Sequence, residues 1–162
     1  MNPHFTVRFL KNWLPVFLWM GLIFILSTDL GSAVHTSRIL GPLLRWLKPD
    51  ITPEQMAFVH FLVRKGGHLS EYAVLAMLLV RAICSSPRAA PAWSWKAAGL
   101  ALAVAAAYAA SDEFHQSFVS TRTASAGDVM IDTVGAAIGL VLVFGWRKFV
   151  QSADRLVEQS VG

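Results

Sequence analysis

Apolar residues fall into four long runs along the chain, and polar residues gather between these runs and at their ends. A helix needs about 20 mainly apolar residues to cross a bilayer, and each run approaches that length. The pattern therefore predicts an all-α membrane protein with four transmembrane helices. The predicted spans cover residues 9–28, 67–84, 95–118 and 128–146. Span one also has the basic start of a signal peptide, but no small-residue cleavage site follows it, so we expect it to be retained.

The connection between spans one and two has a helical pattern of its own. Thr52 is a predicted N-cap, Pro53 suits the first helical position, and Gln55 completes a capping box. Apolar residues then recur at helical spacing: Phe58, Phe61 and Leu62. We expect an extra amphipathic helical segment here, lying on the membrane surface and leading into span two. Residues 36–48 form a further such piece, which we expect to break at Gly41-Pro42.

Composition excludes most other classes of protein. The chain has 162 residues, 55% of them hydrophobic and only 15% charged, against about 25% charged in a typical soluble domain. A water-soluble fold is not expected, and the length predicts a single membrane domain over residues 1–162. The net charge of +4 does not indicate nucleic-acid binding, because the basic residues mostly flank the apolar runs.

The distribution of basic residues predicts the orientation of the chain. Four spans place both termini on one side of the membrane. That side, with the 85–95 loop, carries eight basic residues, and the opposite side carries six. The positive-inside rule therefore predicts a multi-pass protein of the plasma (inner) membrane with both termini cytoplasmic.

Polar side chains from three predicted spans reach the same depth on the outer side. Span two and the residues just before it supply Lys65, His68, Glu71 and Tyr72. Span three supplies Asp112, Glu113, His115 and Gln116. Span four supplies Asp128 and Asp132, and the outer loop supplies Arg122. A charge inside a span costs about 2.5–3.5 kcal/mol on insertion scales, so such a concentration indicates a functional site.

Several of these residues have an equally simple structural explanation. Lys65 and Arg122 could be interface anchors or ion-pair partners, and either histidine could be a hydrogen-bonded core residue. Glu113 could be a solvated helix end. Small residues nearby are better explained by close helix packing than by ligand contact: Gly135 and Gly139, with Ala103, Ala106, Ala107 and Ala110.

The residues that carry this patch also carry a resemblance. The stretches "FILSTD", "KGGHLSEYAVLAMLL" and "SDEFHQSFVSTRTASAGDVMIDTVGAAIG" are similar to those of the VanZ-like family of small membrane proteins, over most of residues 9–146. That family takes its name from a protein associated with low-level resistance to the glycopeptide teicoplanin. The resemblance implies a cell-envelope membrane protein; it does not imply that this chain confers resistance. The Pro-Gly turn that often precedes the arginine in the family is absent before Arg122.

Three functional hypotheses remain open, and they leave open whether the protein is an enzyme. In the first, the patch binds membrane lipids or a lipid-linked or anionic envelope precursor, and the ligand-binding residues are Lys65, Tyr72, Gln116, Arg122, Asp128 and Asp132. In the second, it is a metal-assisted hydrolase or transferase acting on a lipid phosphate, with catalytic residues His68, Glu71, Asp112, Glu113 and His115. The candidate ligands of a divalent metal are Glu71, Asp112, His115 and Asp132. The third, an ion pathway, is opposed by the apolar runs on the cytoplasmic side.

Overall fold

The structure, a computed structural model, describes residues 3–28, 33–85, 93–119 and 125–161. These residues form α-helices and no strand, as the all-α prediction requires. The helices are α1 (Pro3–Ser27), α2 (Ala33–Leu47), α3 (Pro53–Cys84), α4 (Trp95–Gln116) and α5 (Ala126–Val161).

The start of α3 confirms the predicted capping box. The side-chain oxygen of Thr52 accepts a hydrogen bond of 3.3 Å from the backbone N–H of Gln55. The side-chain oxygen of Gln55 in turn accepts one of 3.3 Å from the backbone N–H of Thr52. Pro53 occupies the first turn, where its missing N–H costs no helical hydrogen bond.

Two helices are longer than predicted, and the break expected at Gly41-Pro42 is absent. The amphipathic segment and span two form one helix of 32 residues, which runs through Gly66-Gly67. Glycine lowers helix stability by only about 1 kcal/mol per residue, which packing of the following turns can offset. Likewise α2 runs through Gly41-Pro42, since one proline removes a single backbone hydrogen bond and can bend a helix without ending it.

The fourth predicted span also continues beyond its expected end. The predicted span ends at residue 146, whereas the helix that contains it, α5, extends to Val161. Arginine and lysine are good helix formers, so they end the apolar run without ending the helix.

Three of the described helices are long and apolar enough to cross a membrane. They are α1 from Val7 to Ser27, α3 from Pro53 to Cys84, and α5 from Ala126 to Leu156. The predicted count of four is therefore not confirmed. Of the four predicted spans, the one that does not qualify is α4, because alanine is only weakly apolar and both ends of this helix carry charged or polar residues.

The most extensive helix contact joins α3 to α5. Gly135 and Gly139 make it close, as predicted. A Cβ atom added to either glycine would lie 2.3 Å from a backbone oxygen of α3, that of Leu69 or that of Ala73 respectively. The two backbones approach closely because these glycines carry no side chain.

A different set of alanines from the predicted one packs α4 against the bundle. Ala101, Ala105 and Ala109 are fully buried, whereas Ala103, Ala107 and Ala110 are exposed and Ala106 is only half-buried. The buried residues recur at spacings of four, so they form one stripe along the helix. The predicted alanines lie outside this stripe.

Two hydrogen bonds to backbone oxygens attach α1 to the other helices. The indole N–H of Trp19 donates to the carbonyl of Glu71 in α3, at 2.9 Å. The hydroxyl of Tyr108 in α4 donates to the carbonyl of Met20, at 2.7 Å. In both cases a partly buried side chain donates its hydrogen bond to the protein instead of to water. The two bonds also hold α1 beside the polar patch.

Candidate functional site

The polar patch lies where four helices meet. α1 and α4 end there, α5 begins there, and α3 passes through at about its midpoint, near His68. Five acidic or basic side chains of the patch are buried or nearly so. Their positions therefore depend on helix packing rather than on solvent: Lys65, Asp112, Glu113, Asp128 and Asp132.

Lys65 and Asp128 form an ion pair between α3 and α5. The side chain of Asp128 is 5% exposed and that of Lys65 is 17% exposed. Asp128 also lies in the first turn of α5, where a negative charge interacts favourably with the helix dipole. The pair therefore occupies one of the cations that the first hypothesis assigns to an anionic ligand.

His68 and Asp132 face each other one turn deeper. Nδ1 of His68 lies 3.3 Å from Oδ1 of Asp132, within ion-pair distance but without hydrogen-bond geometry. Asp132 is 0% exposed, and neither of its carboxylate oxygens has a hydrogen-bond partner among the described residues. The hydroxyl of Tyr72, one turn further along α3, is also buried and has no partner in that part of the chain.

Asp112 is held by donors from two helices. The hydroxyl of Ser27 donates to its Oδ2 at 2.6 Å, and the side-chain amide of Gln116 donates to the same oxygen at 3.0 Å. The amide also lies 3.4 Å from the Ser27 hydroxyl. Oδ1 has no partner among the described residues. One oxygen therefore orients the carboxylate, and the other remains able to accept.

Glu113 is buried, so it is not the solvated helix end that we considered. It is 5% exposed, and its Oε2 accepts a hydrogen bond of 2.8 Å from the backbone N–H of Ser125, just before α5. Oε1 has no partner within the described residues. Glu113 also belongs to a compact group of possible metal ligands with His68 and Asp132, in which one ligand atom from each lies within 4.8 Å of the others.

The remaining predicted residues lie at the margin of this group or outside it. His115 packs its ring against Phe24, with ring centroids 4.4 Å apart. Glu71 is half-buried, and its backbone carbonyl binds Trp19. Of the four predicted metal candidates, only Asp132 belongs to the compact group. Arg122 lies outside the described residues.

Sequence reasoning missed two contributors to the patch. Ser27 carries the first hydroxyl after the apolar run of span one, inside "FILSTD", and that position could have identified it. Ser125 contributes its backbone N–H to Glu113. A backbone donor does not depend on side-chain identity, so no sequence pattern could have revealed it.

Comparison with known proteins agrees with the resemblance found in the sequence. A family model described as VanZ/LLP1 matches residues 12–148, which include α2, α3 and α4 whole, most of α1 and α5, and every residue of the patch. Neither the curated proteins nor the solved structures contain a match. The match covers most of the chain, and this helical membrane protein therefore belongs to the VanZ/LLP1 family.

Proposed function

We propose that this protein crosses the plasma membrane four times, with both termini in the cytoplasm, and binds the polar head group of a lipid-linked envelope component at the outer leaflet. The additional span is α4. Its 22 residues give a length of about 33 Å at 1.5 Å per residue, against about 30 Å of hydrocarbon. The excess of basic residues on the side of the termini supports this orientation. The polar patch would then open toward the outer leaflet.

A set of buried polar atoms without partners carries the binding proposal. Among the described residues, five such oxygens belong to four residues of the patch: Tyr72, Asp112, Glu113 and Asp132. Leaving one buried polar atom unsatisfied costs about 1–3 kcal/mol, and native proteins contain few of them. Their concentration at one place supports a site that a polar ligand completes.

The chemistry of these oxygens favours one class of ligand. Four of the five belong to carboxylates, which when ionised only accept hydrogen bonds. They complement hydroxyl and ammonium donors, such as those of a sugar or amino-sugar head group. Phosphate is less suited, because Lys65 already pairs with Asp128 and would have to leave it. The lipid chains would remain in the bilayer beside the helices.

Two neighbouring tyrosines provide the test. Their ring centroids lie 6.3 Å apart, but among the described residues only the hydroxyl of Tyr108 has a partner, the carbonyl of Met20. We expect Tyr72→Phe to leave the free energy of unfolding unchanged or slightly raised, because no protein hydrogen bond is lost. The same change removes a donor and acceptor from the ligand site. We therefore expect it to lower the amount of lipid-linked saccharide that copurifies with the protein.

The control is Tyr108→Phe, which should show the opposite behaviour. It removes a hydrogen bond within the protein, so we expect it to lower the free energy of unfolding by about 0.5–1.5 kcal/mol and to keep the copurified lipids. Mass spectrometry of lipids extracted from protein purified in mild detergent measures retention. If the Tyr72→Phe variant retains the same lipids as the unaltered protein, the binding proposal is wrong.

The second candidate function is a metal-assisted hydrolase or transferase acting on a lipid phosphate. The contact between His68 and Asp132 favours it, because a carboxylate beside one ring nitrogen is a common way to orient an imidazole that acts as a general base. The other nitrogen would then take a proton from water. Release of phosphate from a polyprenyl diphosphate, lost in the His68→Gln variant, would support this function; no release by the unaltered protein would exclude that substrate.

A further inference from the structure

One histidine and two carboxylates from three different helices converge inside the patch. His68 lies on α3, Glu113 on α4 and Asp132 on α5, and one ligand atom of each lies within 4.8 Å of the other two. All three are buried, with exposures of 8%, 5% and 0%. The helices do not need these residues for packing alone, since apolar side chains would fill the same space at lower cost.

Acidic groups close together do not by themselves make a metal site, because many are simply hydrated. Here the ligand atoms are enclosed. Both oxygens of Asp132 and Oε1 of Glu113 lack a hydrogen-bond partner among the described residues, as does Nδ1 of His68. All of them are atoms of the kinds that metal ions bind, imidazole nitrogen and carboxylate oxygen. A single ion would satisfy several of them together.

The balance of charge also points to a cation. Four acidic residues of the patch are at least 95% buried, namely Asp112, Glu113, Asp128 and Asp132. Lys65 supplies a positive charge, and it is paired with Asp128. Ionised carboxylates in an apolar environment are strongly unfavourable unless they are paired or bind a metal. A divalent ion would neutralise two of the remaining negative charges.

We propose that His68, Glu113 and Asp132 bind a divalent transition-metal ion, Zn²⁺ or Mn²⁺. Imidazole disfavours Mg²⁺ and Ca²⁺, whereas mixed nitrogen and carboxylate ligands suit these two ions. Bonds of about 2.0–2.2 Å place tetrahedral ligand atoms about 3.4 Å apart. The ligand atoms, now within 4.8 Å of one another, would therefore move closer together when an ion binds. Three protein ligands leave a further position open, as in catalytic zinc sites. The assignment goes beyond the head-group proposal and does not depend on it.

The test uses the full chain in detergent after treatment with a chelator and removal of the chelator. Zn²⁺ and Mn²⁺ are titrated separately in competition with a chromophoric chelator, and Mg²⁺ serves as the comparison ion. We expect one ion per chain, bound at least about 10-fold more weakly by His68→Gln, Glu113→Gln or Asp132→Asn, because even changes outside the ligand shell commonly weaken metal binding by 10- to 100-fold. His60→Gln is the matched control, since His60 is a partly buried histidine two turns away on the same helix.

Each outcome decides the question. Failure of the unaltered protein to bind either ion at millimolar concentration would overturn the proposal even if every variant misfolds. Equal binding by the unaltered protein and by folded variants would place the ion elsewhere and would also overturn it. Lipid retention is measured separately, with and without the chelator. Metal binding without lipid retention would therefore refute the head-group proposal alone, and lipid retention without metal binding would refute the metal site alone.

Discussion

The close approach of α3 and α5 makes a quantitative prediction about Gly139. Replacing it with alanine would place a Cβ atom 2.3 Å from the carbonyl oxygen of Ala73, whereas ordinary contact begins at 3.4 Å. The shortfall is 1.1 Å (3.4 minus 2.3). The obstructing atom belongs to helical backbone, so no side-chain rotation can relieve the clash. The two helices must move apart along their most extensive contact.

The expected loss of stability can be taken from other proteins in which a tightly packed interior was given an extra methyl group. Inserting a methyl group into a tight interface costs about 1–3 kcal/mol, partly offset by the better helix propensity of alanine, which is worth up to about 1 kcal/mol. Gly145→Ala is the matched control, because Gly145 lies on the same helix and a Cβ there would meet nothing within 4 Å. We therefore expect Gly139→Ala to be less stable than Gly145→Ala by about 1–3 kcal/mol.

The assay is reversible unfolding in mixed micelles of dodecyl maltoside and SDS, followed by far-UV circular dichroism. The free energy of unfolding of each variant is compared with that of the unaltered protein at the same detergent ratio. Equal stabilities for the two glycine variants would show that α3 and α5 do not pack as closely as described. A lower stability for Gly145→Ala would contradict the assigned faces of α5.

Two other buried contacts give predictions that the same assay checks. Lys65→Ala should lower the free energy of unfolding by up to about 3–5 kcal/mol, because Asp128 is left buried without its partner. Adding Asp128→Ala should restore much of this loss. If the double variant loses as much stability as the two single variants together, the pairing is contradicted. Ser27→Ala should cost about 1–3 kcal/mol through its lost hydrogen bond to Asp112. Ser70→Ala, whose exposed hydroxyl binds only its own helix, should change stability by less than about 0.5 kcal/mol; a similar effect of both serine changes would contradict the role given to Ser27.

The sequence predicts the composition of the patch better than its internal contacts. Helical spacing placed His68 and Tyr72 on one face of α3, and both are buried in the patch. The same spacing cannot say which acid faces which histidine, because that depends on the rotation of three helices about their axes. It therefore could not choose Glu113 over His115 as the neighbour of His68 and Asp132.

Helix boundaries were harder to predict than helix identity, for a related reason. An apolar run reports where the membrane begins and ends, and this position need not coincide with the end of a helix. The apolar run of span four therefore ends before Arg147-Lys148, whereas α5 continues to Val161. The start of α3 was predictable to the residue, because a capping box is a local interaction between Thr52 and Gln55.

The glycine pair in the middle of α3 has a mechanical consequence. Beyond the proline in its first turn, Gly66 and Gly67 are the residues of lowest helix propensity in that helix, and a Cβ at either would meet no neighbour within 4 Å. Their flanking residues are the ones held by α5: Lys65 by Asp128 and His68 beside Asp132. The point at which α3 bends most easily is therefore held on both sides by polar contacts with α5. We expect that loss of either contact would make α3 bend more easily between residues 53–64 and the rest of the helix.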